Sequence, residues 1–104
     1  MNFTEYQREA MAFRLPSANS EYALLNLAGE VGELLSAEAK LIRDGANLDT
    51  HRKNVVKELG DILWCITAIA ADYNVALVSV AEANIEKLTS RKANNTIKGS
   101  GDDR

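Results

Sequence analysis

The sequence predicts an all-α fold, a four-helix bundle built on a central antiparallel hairpin of its second and third helices and completed by oligomerisation. Three observations carry this. Apolar residues recur three and four apart, period-two alternation is absent throughout, and polar caps, Gly45 and Pro16 punctuate four helical stretches. No internal repeat competes with a single-domain reading of the 104 residues.

The first helix is expected from a cap at Thr4 to about Arg14, where the Leu15–Pro16 step ends it because a residue before proline is pushed out of the helical region. The second starts after Ser20 and runs to about Arg43, with Gly45 placed for the turn at its end. The third begins near Asp49 and Thr50 and continues to about Tyr73, and the fourth covers roughly Val75 to Arg91. These elements form a domain over residues 1–92. Residues 93–104 are polar, glycine-bearing and without period, which by composition alone is a flexible terminus.

Composition narrows the partners. A net charge of -3 gives no basic footprint for a nucleic acid polymer, and no amphipathic stretch carries a basic face suited to anionic lipid. The near-continuous apolar run Ile62–Ala71 is too short to span a bilayer. Cys65, alone within that run, reads as a buried reduced thiol, and the segment after Met1 lacks the basic and apolar regions of a signal peptide, so a cytoplasmic setting is expected. Helix three is apolar nearly all round over this run, and helix two carries a wide stripe including Tyr22, Leu24, Leu25, Leu27, Val31, Leu34 and Leu35. A helix apolar on every side must be buried on every side. So small a chain can hardly cover both, and a homo-oligomer follows, tetramer ahead of dimer.

Chemistry concentrates in two acidic pairs, Glu30-x-x-Glu33 and Glu58-x-x-Asp61. Residues three apart share a helix face. In an antiparallel hairpin, positions equidistant from the turn lie level, and 30 with 61 and 33 with 58 share a midpoint at Gly45/Ala46, inside the expected loop. Four carboxylates among leucines and valines are unfavourable unless protons or cations neutralise them. Oxygen donors without histidine or thiol suit Mg²⁺, with Mn²⁺ expected to substitute, and Mg²⁺ shares its shell readily with phosphates, which implies a polyphosphate substrate. Gly29, Gly32 and Gly60 flank these acids inside helices, and close approach of helices two and three is the expected reason. A di-iron bundle would need Glu-x-x-His, and His51, the only histidine, forms none.

The segment Glu30-Val31-Gly32-Glu33-Leu34, followed by Glu58-Leu59-Gly60-Asp61-Ile62 and by Asn84-Ile85-Glu86-Lys87-Leu88 leading to Arg91, resembles the MazG-like nucleoside triphosphate pyrophosphohydrolases of the all-α NTP pyrophosphatase superfamily. The resemblance covers most of the chain. It implies Mg²⁺-dependent hydrolysis of an NTP or dNTP between the α and β phosphates, giving monophosphate and pyrophosphate, in nucleotide-pool control or house-cleaning. Glu30, Glu33, Glu58 and Asp61 then hold the metal, which lowers the pKa of an attacking water. Glu33 and Glu58 are the catalytic candidates, Glu33 as base. The face of helix four carrying Asn84, Lys87 and Arg91 supplies phosphate and sugar contacts. The ending Gly99-Ser100-Gly101-Asp102-Asp103-Arg104 looks like that of short phage-type members, and Ser100 and Arg104 become candidates for contact with a bound nucleotide. Phe3, Tyr6, Gln7, Asn26 and Trp64 are candidates for the base. The competing expectation is a non-enzymatic helical interaction module with a structural cation site.

Overall fold

The computed structural model describes residues 1–45 and 47–104, so Ala46, half of the expected midpoint, lies outside the described residues. Among the described residues four helices follow in order: α1 Phe3–Ala12, α2 Ser20–Asp44, α3 Leu48–Asp72 and α4 Leu77–Ala93. Among the described residues there is no strand. The all-α expectation holds, with boundaries shifted by a few residues.

Asparagines account for most of the shifts. Asn2, rather than Thr4, caps α1, its side-chain oxygen accepting the Glu5 N–H at 2.8 Å. Asn19 does the same for Tyr22 at 2.9 Å, and Asn47 for Asp49 and Thr50 at 2.9 and 3.1 Å. Each satisfies a first-turn donor that has no partner within the helix. Asparagine also closes two helices. Asn74 and Asn95 take the left-handed conformation at φ 57° and 55°. The following N–H groups reach back, Val75 to Ala70 O at 2.9 Å and Thr96 to Arg91 O at 2.7 Å. These are the bonds of a Schellman ending. Val75 is therefore committed to the end of α3, and α4 begins only at Leu77, its axis turned by 100° from that of α3.

The most extensive interface is α2 against α3. Its rungs run along the hairpin, from Asn26 Nδ2 donating to Cys65 Sγ at 3.4 Å to His51 Nε2 against Glu38 Oε2 at 3.0 Å. The short α1 ties the other elements together. Trp64 Nε1 donates to Ala10 O at 3.1 Å, while Gln7 donates to Val75 O at 3.2 Å and accepts the Leu77 N–H at 2.8 Å. Beyond α1, Arg14 forms a bidentate pair with Asp72 at 2.8 and 3.0 Å and donates to Ala18 O at 2.6 Å, stapling the α1–α2 loop to the end of α3.

The buried core of one chain is made of small side chains: Ala10, Ala23, Cys65, Thr67, Ala68 and Ala70, with Leu77. Thr67 is satisfied there, donating to Leu63 O at 2.7 Å. Larger apolar residues stay outside, among them Leu25 at 75%, Leu35 at 64% and Val56 at 63% exposure. The surface of 7796 Å² exceeds the roughly 5,800 Å² of a compact monomer of this mass. The radius of gyration, 16.6 Å, exceeds the ~13 Å of a compact domain of this length. One expectation fails: Gly29, Gly32 and Gly60 do not bring α2 and α3 together. All three are exposed, and a Cβ at any of them would meet nothing within 4 Å, because they lie on the outer side of the hairpin. No single helix among the described residues is long and apolar enough to cross a membrane.

Candidate active site

Halfway along the hairpin, Glu30 of α2 faces Glu58 and Asp61 of α3. Each offers a carboxylate oxygen, and the three oxygens lie within 4.8 Å of one another. Helical spacing puts Glu58 and Asp61 on one face of α3, and the antiparallel register brings Glu30 level with them. Glu33, one turn further along α2, stands outside this trio. It is exposed, and with Glu58 it borders a cavity of about 430 Å³ between the helices. The sequence predicts four carboxylates at one level. The structure gathers three and sets the fourth beside them.

The electrostatics follow from crowding. Burial, and then the charges of Asp61, Glu58 and Glu33, push the Glu30 carboxyl above its ordinary range. Tyr6 of α1 is pushed up by burial and then by the charge of Asp61. Cys65, beneath Asn26, is raised by burial while the amide hydrogen bond pulls it partly back. None of the four acids takes part in an ion pair among the described residues. Like charges gathered without a counter-charge, all hard oxygen donors, form a site that a divalent cation fits.

Other candidates are spread more widely. The Asn26 amide sits one turn before Glu30 and is engaged with Cys65, while the Trp64 indole N–H is spent on Ala10 and Gln7 spans the start of α4. Asn84 and Lys87 line a second cavity, of about 620 Å³, with Phe3, Leu63 and Leu77. Among the described residues no hydrogen bond or ion pair joins Asn84, Lys87 or Arg91 to the acidic trio. Lys87 and Arg91 instead meet Asp102 of the C-terminal segment, and Arg104 bonds to carbonyls of that same segment. The segment that composition reads as flexible is thus held against α4.

Lys40, His51 and Asn54, none of them expected at the site, line the cavity shared by Glu33 and Glu58. The signal was present. Lys40 lies seven residues after Glu33, and Asn54 and His51 lie four and seven before Glu58, spacings that keep them on the acids' own faces.

Comparison with known proteins gives a family and a fold. Residues 18–96 match the model of the MazG nucleotide pyrophosphohydrolase domain, a span holding all four acids and the whole of α2, α3 and α4. The chain is 38% identical over 85 residues to the Gene 37 protein of Mycobacterium phage L5, an alignment covering 80% of this chain and 75% of that one. Its fold is similar to the crystal structure of iMazG from Vibrio DAT 722, with a TM-score of 0.64 and 28% identity over 89% of this chain and 97% of that one.

Proposed function

The chain belongs to the MazG nucleotide pyrophosphohydrolase domain family, and from that premise we propose that it hydrolyses a nucleoside triphosphate, NTP or dNTP, between the α and β phosphates. The products are a nucleoside monophosphate and pyrophosphate. It acts on free nucleotides rather than on a nucleic acid polymer, in the cytoplasm, in pool control or house-cleaning. The observation that carries the reading is the convergence of Glu30, Glu58 and Asp61 within 4.8 Å with no ion-pair partner among the described residues.

These three carboxylates hold a divalent cation, Mg²⁺ with Mn²⁺ able to substitute. Their fit rests on the donor set and on the raised Glu30 carboxyl, a repulsion that a cation relieves. When bound, the cation supplies positive charge to the triphosphate and acidity to a water. Glu33, a fourth possible ligand, is the residue free to act as base, since it adjoins the trio without belonging to it. A Glu33 carboxylate oxygen accepts the water proton as the water oxygen bonds to the α-phosphorus. The bond from that phosphorus to the bridging oxygen breaks, and pyrophosphate leaves. Glu58 belongs to the trio and also lines the cavity, which joins the two. Asn84 and Lys87 hold phosphate and sugar with Arg91, Arg104 of the segment folded against α4 assists them, and Asn26 and Trp64, each one helical turn from an acid, take the base.

The working form is a homo-oligomer, a tetramer or a dimer, that completes the site. About 2,000 Å² of surface beyond that of a compact monomer is what one subunit commits to a large interface. Leu25, Gly29 and Gly32 on α2 and Val56 and Gly60 on α3 give the hairpin an outer face that is both apolar and low enough for another backbone to approach. Hydrolysis in water enriched in heavy oxygen tests the chemistry. Label in the monophosphate is expected; label in the pyrophosphate would mean attack at the β-phosphorus and overturn the assignment.

A further inference from the structure

The last nine residues form a folded clasp, and its anchors are two arginines. Arg91, only 7% exposed at the end of α4, donates from Nη2 to Gly101 O at 3.3 Å and to Asp102 O at 3.0 Å. Arg104 reaches back from the other end, donating to Thr96 O and Ile97 O at 2.9 Å each, and to Gly101 O. Both guanidinium groups thus share one carbonyl. Gly99 makes room for this: its φ is +129°, and a Cβ there would come within 3.2 Å of Arg104 Cδ. With Thr96 bonded to Arg91 O, the chain turns back on α4 and is closed by hydrogen bonds to backbone carbonyls.

One contact of the clasp is of a different kind. The Asp102 carboxylate lies 3.4 Å from Lys87 Nζ and 3.3 Å from Arg91 Nη2, with its side chain 85% exposed. These distances are at the long edge of hydrogen bonding, and an exposed pair of this sort contributes little. Lys87 and then Arg91 hold the Asp102 carboxyl below its ordinary range, so it stays anionic. Arg91 Nε, buried, has no hydrogen-bond partner among the described residues. The two cations therefore present a site held by a weak anion, with a guanidinium donor still unspent. A phosphate group carries more charge and more acceptor oxygens than a carboxylate.

We propose that Lys87 and Arg91 form an anion site occupied in the free protein by the chain's own Asp102, and that a phosphate group of a polyphosphate ligand exchanges with that carboxylate while Arg91 and Arg104 keep the clasp folded. Arg91 serves here chiefly as a positioning residue, and Lys87 is the group that changes partner. The inference rests on the reading of Lys87 as a phosphate contact and adds how that contact is regulated: substrate must displace an internal competitor.

Calorimetric binding of inorganic tripolyphosphate to the metal-free protein tests it, since the acidic trio repels the probe and only a cationic site draws it. Asp102→Asn is expected to tighten binding about two- to fivefold, the weight of one exposed ion pair. The gain is expected to vanish in a Lys87→Met background. Unchanged or weaker binding by Asp102→Asn overturns the proposal. Amide NMR of the unmodified chain gives a second reading: tripolyphosphate should shift Lys87 and Asp102 while Gly99 and Gly101 keep their folded positions. Movement of the whole segment to random-coil positions counts against exchange within a folded clasp. Should nucleotides prove not to be hydrolysed while Asp102→Asn binds tripolyphosphate more tightly, the hydrolase reading falls and the anion site stands; hydrolysis with no effect of Asp102→Asn does the reverse.

Discussion

Glu30 is where the charges of the site converge, and the sign of its effect on stability can be worked out. Its carboxyl is raised in the folded chain, first by burial and then by Asp61, Glu58 and Glu33. The folded state therefore binds more protons than the unfolded state between the ordinary glutamate range and the raised value, and stability must fall as pH rises through that window. Below the window both states are protonated and the effect vanishes. Denaturation of metal-free protein across this range should show the decline, and Mg²⁺ should remove most of it. Asp44 and Asp102 work oppositely and at lower pH. Each is lowered by cationic partners, Arg43 and Lys87 first, so their small contributions are lost as pH falls. For Glu58→Gln, turnover should drop by more than about a hundredfold, beyond what loss of an outer partner costs a metal site. Thermal stability without metal should be unchanged or higher, and an unfolded variant would count against the cation site. At this scale the acids were legible because two periodicities coincided, three-residue spacing within each helix and level register across the hairpin. The displacement of Glu33 from the trio was not, because residue numbers set height along a helix pair but not rotation about each axis.

Between elements, the connections rather than the helices decide the arrangement. Helix α4 has no side-chain cap of its own at Ala76. Gln7 of α1 supplies the acceptor for the Leu77 N–H and binds Val75 O as well. Gln7→Ala should cost about 1–3 kcal/mol in chemical denaturation, since it strands a part-buried donor. Asn74→Ala should cost about 1–2 kcal/mol by forcing alanine into the left-handed turn between α3 and α4, whereas Asn74→Gly should be near neutral. Helix count and order were readable from periodicity and from Pro16 and Gly45. The caps were misread by a residue or two where Asn competed with Thr4, Ser20 and Asp49. The Gln7 contact could not be read at all, because it joins residues 70 apart in sequence.

For the whole molecule, the apolar surface is the governing fact. Leu25, Leu35 and Val56 are each more than half exposed in a single chain whose buried core is mostly alanine-sized. The excess of apolar residues was legible from the sequence, since helices apolar all round need covering. Which face would stay open was not, and the hairpin glycines turned out to lie on that outer face instead of between α2 and α3. Sedimentation at micromolar concentration should give a species larger than 11.4 kDa, and Leu35→Asp should shift it toward monomer. If the active form is shared between subunits, activity should fall with dilution in parallel. The most direct test of the catalytic reading is to incubate the protein with Mg²⁺ and each common NTP and dNTP and separate the products. Monophosphate with pyrophosphate from at least one of them is the expected result; diphosphate with orthophosphate, or no turnover of any nucleotide, would contradict it.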